Sequence, residues 1–582
     1  MDKRTIIAFV LIGMIIVLYG EYARWISPPP PPEPIETIAA TDTTKPQPAA
    51  EHTVPALLAP AASGATVLPP TTAIAGLVNP LAAPERFVTV ETERFIARLS
   101  SHGAQLVSLK LKPNGRYLKQ EIELLHQDRR GAHPSYRFWM VNGPIETADL
   151  AFELAGWDES RDLELNVKGS ETRQLIFTAP LDSVRRLSII YSFSGNRYTL
   201  TSEVKGEGLA SLWVRDYAEV HWSGGVAFTE TDSAQDHYYS MAYAFYQGDV
   251  LEELKLSPKK AQVIGPTTGE TRWVALRTKY FLTALIPDLT PASGAWMENR
   301  LDSSYVGNNS PNLLGVGMKL PLKEGVPATP IRLFIGPLDD DVIAAVDPSL
   351  KGTMNWGWKI IAPFSKFVLW GLKAMHGAIP NYGICIILFS ILVKVLVWPL
   401  TRSSYRSMAA MARVQPLLQE LRAKYKGDPQ RLNKETMKLY KEQKINPMGG
   451  CLPVLLQMPL LYALFIVFRS TIEFRQAPFI WWIKDLSMPD IITMLPFTIP
   501  MYGSHIALLP ILMGISTYFQ SKSTMTDPNQ KMMLYFMPVF MTVIFNNFPS
   551  GLNLYYTLFN VWTLLQQKMT PPPKVLTSQE VT

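Results

Sequence analysis

After Pro380 the chain gathers its apolar residues into five runs, at about 382–400, 448–468, 506–520, 532–548 and 552–569. Each is near the roughly 20 residues that a helix needs to cross bilayer hydrocarbon. A sixth, shorter run covers 5–19, behind Lys3 and Arg4. Its basic start and apolar middle have the form of a signal peptide, yet Glu21, Tyr22, Arg24 and Trp25 stand where a small-residue cleavage site would be. The reading is an uncleaved signal-anchor helix over 1–26, with a cleaved signal peptide as the alternative. Six spans predict a polytopic α-helical membrane protein. Composition agrees: 47% of the residues are hydrophobic and only 18% charged, against about 25% charged in ordinary soluble domains.

Charge sets the expected orientation. Segment 401–447 holds eleven Lys and Arg against four Asp and Glu, an excess of seven where the whole chain has six. Basic loops stay in the cytoplasm. Lys3 and Arg4 put the N-terminus on the same side, and six alternating spans return the C-terminus there. The loop 470–504, with Arg475 and Lys484 against Glu473, Asp485 and Asp490, has no basic excess and is expected outside.

Between anchor and core the pattern changes twice. Residues 27–84 begin with five consecutive prolines, Pro28 to Pro32, and stay rich in Pro, Ala and Thr; this reads as a disordered linker. Over 85–350, short runs rich in Val, Ile, Thr, Tyr and Phe, such as 86–92, 106–111, 175–178, 186–193, 198–204 and 271–276, alternate with turn residues. They predict a large all-β sandwich domain, exported by the anchor. Within 351–377, Ile360, Phe364, Phe367, Val368, Leu372 and Met375 share one helical face, and Lys359, Lys366 and Lys373 recur on another. That is the pattern of an amphipathic helix lying in the membrane interface.

Lys394 is the only charged residue in the interior of the five runs. A charge there costs about 2.5–3.5 kcal/mol on the insertion scale and is a functional-site hypothesis by default. Snorkelling is the bland alternative: the cytoplasmic end of the run is six residues away, about 9 Å, slightly beyond a lysine stem. No Asp or Glu occurs in the runs, so water or an anionic guest would have to keep Lys394 charged. In the last run Asn553, Tyr556, Thr557, Asn560, Thr563 and Gln567 fall within a sector about 120° wide. They would line either a wet groove or a helix contact glued by hydrogen bonds. Ser390, one turn before Lys394, and Gln457 add polar candidates. Segment 401–447 reads as a basic helical hairpin broken at Gly427-Asp428-Pro429, suited to anionic lipid or ribosomal RNA, or simply solvated.

Motifs of covalent chemistry are absent: no Walker loop, HExxH, GxSxG or dinucleotide fingerprint occurs. The two cysteines, Cys385 and Cys451, lie in apolar runs and read as packing residues. The expectation is a non-enzyme with no cofactor and no metal.

The C-terminal block 356–570 resembles the YidC/Oxa/Alb family of membrane protein insertases. The likeness rests on Val-Trp-Pro-Leu-Thr (397–401), Asn-Pro-Met-Gly-Gly-Cys-Leu-Pro (446–453), Gln-Met-Pro (457–459), Arg-Gln-Ala-Pro-Phe (475–479), Thr-Asp-Pro (526–528) and Phe-Pro-Ser-Gly-Leu-Asn-Leu-Tyr-Tyr (548–556). The anchor and exported β domain match the layout of Gram-negative members. The resemblance implies a five-helix insertase core over 378–570. Its hydrophilic groove is closed toward the periplasm and open to the cytoplasm and lipid, with the cation at Lys394 and groove positions Ser390, Gln457, Met458, Asn553, Tyr556, Thr557 and Asn560. It implies an inner-membrane location with 27–377 on the periplasmic side. The implied partners are nascent membrane proteins, the Sec translocon, the ribosome, the signal recognition pathway and the lipid bilayer. The chain departs from the family in carrying Lys where Arg is common, in the Pro-rich stretch 495–502, and in a short tail, 571–582. Two other readings compete: a secondary transporter, and a cell-envelope binding protein working through its β domain.

Overall fold

The computed structural model describes residues 84–125, 133–141, 143–155, 162–257, 260–300, 314–443, 452–524 and 531–569. The expected signal anchor, all but the last residue of the linker, residues 446–451 of the Asn-Pro-Met motif, the Thr-Asp-Pro motif and the tail lie outside the described residues.

The alternating runs become strands with little change of boundary. Leu106–Leu111 forms as expected, and the run at 186–193 becomes Arg186–Ser194. In the latter, Leu187, Ile189, Tyr191 and Phe193 point into the main core, as period-two side-chain alternation requires. A five-stranded sheet, in which Phe87–Glu91 pairs with Phe95–Ser100 and, in parallel, with Leu163–Asn166, shares that core with a much longer sheet.

The longer sheet turns on one strand, Gln262–Arg277. Its first part pairs with Ala292–Asn299, with two register shifts, and its last with Met241–Tyr246, with one, and with Phe281–Pro287. Around this strand the sheet is buried on both faces. Val274, Leu276, Leu285, Leu333 and Ile335 face the main core. Trp273, Ala275, Ala284, Ile286 and Phe334 face a second cluster closed by Leu338, Ile343, Leu350 and Met354. The helices here are α1 (Ser233–Tyr239) and α2 (Asp340–Val346).

The membrane-type region begins with α3 (Ala362–Ala378) and α4 (Tyr382–Arg413). The Asn381 side chain caps α4, accepting from the Ile384 amide at 3.2 Å. The sequence reading ends this helix near Leu400; instead it runs through Pro399 to Arg413. Thr401 Oγ1 donates to the carbonyls of Val397 and Trp398 beside the proline. The basic hairpin is then α5 (Gln415–Lys424) and α6 (Pro429–Glu442), closed on Val414, Leu418 and Leu439. Next come α7 (Leu452–Ser470), α8 (Leu508–Thr524), α9 (Lys531–Phe545) and α10 (Ser550–Met569). The Phe-Pro-Ser-Gly motif seats the start of α10. The Ser550 and Gly551 amides donate to the carbonyls of Met488 and Leu486, and a Cβ at Gly551 would stand 2.9 Å from the Phe468 ring.

Among the described residues one helix is long and apolar enough to cross a membrane, over Tyr382–Pro399; Gln457–Ser470 and Met532–Phe545 are shorter apolar stretches. The described parts of α8 and α9 have 17 and 15 residues, and residues 525–530 between them lie outside the described residues.

Helix α3 differs from the simple two-faced expectation. Val368, Leu369 and Leu372 are buried in the helical cluster, whereas Ile360, just before the helix, and Phe364, Phe367 and Trp370 are exposed. The lysines also divide. Lys373 turns inward to Asp341, 2.5 Å away, and Glu473, 3.6 Å away, while Lys359 and Lys366 remain exposed.

Candidate functional site: a buried cation between two helices

Helix α10 packs against α4 on one side and α8 on another, and α9 covers α8. Polar side chains on α10 address both neighbours. Lys394 on α4 is 7% exposed, so it does not snorkel out of the protein. Its Nζ donates to Thr563 Oγ1 at 2.7 Å and lies 4.2 Å from the centroid of the Phe559 ring. One hydroxyl and one aromatic face are modest compensation for a buried ammonium, and among the described residues no carboxylate pairs with it. One turn back, Ser390 Oγ accepts from the Trp562 indole at 3.1 Å and donates to the Ile387 carbonyl. One turn after Thr563, Gln566 donates to Thr401 Oγ1 at 3.3 Å.

The other flank faces α8. Asn560 Nδ2 donates to Ser516 Oγ at 3.1 Å and Thr517 Oγ1 at 2.9 Å. Asn553 donates to the carbonyls of Phe545 and Phe548, and its Oδ1 is buried without a partner. Thr557 bonds back to the Asn553 carbonyl, and the Tyr556 ring meets Phe545 edge-on at 5.1 Å.

Lys394, Ser390, Asn553, Tyr556, Thr557 and Asn560 are thus brought together along α10. Gln457 and Met458 stand apart on α7: Gln457 is half-buried, Met458 is 56% exposed, and neither joins this hydrogen-bond network among the described residues. The polar sector of α10 serves helix contact as well as lining, because Asn560 and Thr563 each find a partner on a neighbouring helix. The sequence reading missed Trp562, Gln566, Thr401, Ser516 and Thr517. Of these, only Thr401 carried a signal, as the last residue of the Val-Trp-Pro-Leu-Thr motif.

A second cluster of buried charge was not foreseen. It ties the helical region to the β domain through 471–477, just after α7. Ile472 sits in the main β-domain core, and Phe474 in the helical cluster. Arg475, 3% exposed, pairs with Glu230 at 2.7 Å and donates to the Tyr117 carbonyl. Gln476 Oε1 accepts from the Lys119 amide. Glu473 is 1% exposed and neither carboxylate oxygen is hydrogen-bonded. Burial, then the nearby Asp339 carboxylate, push its pKa up to about 7; Lys373 opposes the shift without cancelling it. The Arg-Gln-Ala-Pro-Phe motif is therefore a docking element: its last residue, Phe479, packs against Gly383, and its carbonyl accepts from Asn381.

Among the described residues no cluster of three or more His, Cys, Asp or Glu could hold a metal ion.

Two family models match almost end to end: the YidC periplasmic domain over residues 87–370, and the 60Kd inner membrane protein over 374–574. A membrane protein insertase YidC of Chlorobium luteolum is 37% identical over 573 residues, covering 97% of this chain and 94% of that protein. Another, from Chlorobium limicola, is 38% identical over 83% of this chain and 82% of its own length. A solved YidC insertase structure, with its first transmembrane domain resolved, aligns over 86% of this chain at 17% identity and a TM-score of 0.35. On the strength of the family models and the relatives, this inner-membrane chain, with its β-sandwich domain and helical C-terminal region, belongs to the YidC family of membrane protein insertases.

Proposed function

We propose that the protein inserts nascent proteins into the inner membrane through a hydrophilic groove floored by α10, open to the cytoplasm, with Lys394 as its charge. The observation that carries this is Lys394 itself, buried and held by a hydroxyl and a ring but paired with no carboxylate among the described residues. An acidic flank of a client supplies the missing partner. Two unit charges 4 Å apart attract by about 4 kcal/mol at an effective dielectric near 20, enough to guide a guest without trapping it. The hydrophobic client segment then leaves along α4 and α10 into lipid.

Partition into the bilayer supplies the driving force and no covalent bond changes, so nucleotide hydrolysis is not needed. Six spans, with both termini and the 401–447 hairpin cytoplasmic and 27–377 periplasmic, fit the excess of basic residues in 401–447. The expected division stands as part of the proposal: anchor 1–26, linker 27–84, β domain 85–350, interfacial helix 351–377, core 378–570 and tail 571–582. The Sec translocon, the ribosome and the signal recognition pathway are proposed partners, with the basic hairpin as the ribosomal RNA contact. Relatives named as insertases over nearly the whole chain do not favour the transporter or envelope-binding readings.

The test is reconstitution in liposomes with a single-span substrate carrying an acidic outer flank, scored by protease protection of that flank. Lys394→Arg keeps the charge and retains insertion. Lys394→Ala lowers it by about tenfold, the equivalent of about 1.4 kcal/mol. Equal insertion by all three proteins refutes the role of the charge.

A further inference from the structure

The Pro-rich stretch that sequence alone left without meaning folds as a β-hairpin, Ile491–Ile499 with Gly503–Ala507, directly ahead of α8. It is apolar on both sides. Ile492 is 50% exposed, Met494 64%, Phe497 60% and Met501 58%. Residues 491–507 contain no Asp, Glu, Lys or Arg. A water-facing hairpin of this composition would be an aggregation site.

Its position is fixed. Asn546, at the end of α9, donates to the carbonyls of Tyr502 and His505 and accepts from the Ala507 amide. Asn547 donates to the Met501 and Tyr502 carbonyls, and Gly503, at φ +103°, lets it approach: a Cβ there would lie 2.8 Å from Asn547 Oδ1. Asp490 ties the base of the hairpin to α8 by accepting from the Leu508 and Leu509 amides at 3.1 and 2.8 Å. The hairpin is thus held at the ends of α8 and α9 that face away from the basic hairpin.

We propose that this hairpin lies in the headgroup–acyl boundary of the outer leaflet and extends the apolar surface of α8 and α9 there. This rests on the reading of 378–570 as a membrane core. The continuity of the apolar surface selects lipid as the occupant: exposed apolar side chains run from the hairpin onto α8 through Leu512, Ile515 and Phe519, spaced as one helical face, and onto α9 through Tyr535, Phe536 and Val539. Among the described residues no other strand pairs with its outer edges. That excludes the hydrocarbon centre and fits the boundary, where water reaches those groups.

The full chain with Cys385 and Cys451 replaced by alanine is spin-labelled singly at Met494→Cys, Phe497→Cys, Phe519→Cys on α8 and Val184→Cys on the β domain. It is reconstituted in phosphatidylethanolamine–phosphatidylglycerol vesicles. Collision with oxygen is compared with collision with a water-soluble nickel chelate. The expected oxygen-to-nickel ratio at 494 and 497 is about fivefold or more above that at 184 and below that at 519, as for a boundary location. Ratios at both hairpin sites equal to that at 184, with 519 lipid-like, overturn the proposal alone. A water-like 519 overturns the membrane reading of the core, and the proposal with it. Protection from both agents, with dipolar broadening between labels, assigns the hairpin to a second copy and also overturns the proposal.

Discussion

Two of the cations buried among the described residues, Arg475 and Lys394, are held in opposite ways. At the junction of β domain and core, Arg475 has a carboxylate at 2.7 Å and a carbonyl at 3.0 Å. Between α4 and α10, Lys394 has a hydroxyl and an aromatic ring. A buried charge that is fully paired locks a geometry, because every alternative leaves a partner uncompensated. A buried charge left short of partners has binding capacity in reserve. The first arrangement is that of a joint; the second is the one proposed above to receive a client's acidic flank.

Breaking the joint gives the largest expected effect. Arg475→Ala leaves Glu230 buried without its cation, a change that typically costs about 3–5 kcal/mol. The β domain then separates from the core at lower temperature, read as earlier thermal unfolding in detergent and faster proteolysis of 471–477. Adding Glu230→Leu removes the stranded charge and recovers most of the loss. Equal damage in single and double variants shows that Arg475 acts through packing, and the contrast with Lys394 dissolves.

Next in size is the pH dependence of the same joint. Glu473 ordinarily titrates near 4.5 and here near about 7. Between those values the folded chain holds a proton that the unfolded chain has released. Its contribution is therefore most favourable below the ordinary value and is lost as pH rises through the window, by about 3 kcal/mol in all. Glu473→Gln, neutral at every pH, flattens this part of the stability–pH curve between about 4.5 and 7. An unchanged slope shows that Glu473 is ionised in the folded protein and paired with Lys373.

The joint was not legible in the sequence, and the reason is physical. Nothing near Arg475, Glu230, Lys373 or Asp341 in the sequence names its partner; only folding brings together positions more than 200 residues apart, as with Arg475 and Glu230. The β domain was legible because strands such as Arg186–Ser194 carry their own alternating pattern, and those without it, such as Phe281–Pro287, are still short runs rich in β-forming residues. The change of partners along Gln262–Arg277 was not, since it depends on which strands each half meets in the fold. In the core, Lys394 stood out because a charge in an apolar run is conspicuous without any partner. Met458 did not join the α10 network because its side chain is largely exposed on α7 and its thioether is only a weak hydrogen-bond acceptor. The hairpin at 491–507 was missed because its strands have no polar side to alternate with. Apolarity on both faces removes the period-two signal that marks a strand in water.

The smallest effect has the opposite sign from the first and tests the comparison at its other end. Lys394→Met keeps the length of the side chain and removes its charge. The variant loses the hydrogen bond to Thr563, worth about 1.5–3 kcal/mol for a charged donor. It also escapes the cost of holding an ammonium inside a span, about 2.5–3.5 kcal/mol on the insertion scale. The difference leaves the protein equally stable or more stable by about 1 kcal/mol, while insertion of the acidic-flank substrate falls. Thermal unfolding and insertion measured on the same preparation separate the two roles. If Lys394→Met unfolds as early as Arg475→Ala, the cation is a structural element of the α4–α10 contact, and the drop in insertion follows from lost structure. If stability holds while insertion is lost, the charge is kept at a cost to the fold, and a guest that carries the missing negative charge is the physical reason for keeping it.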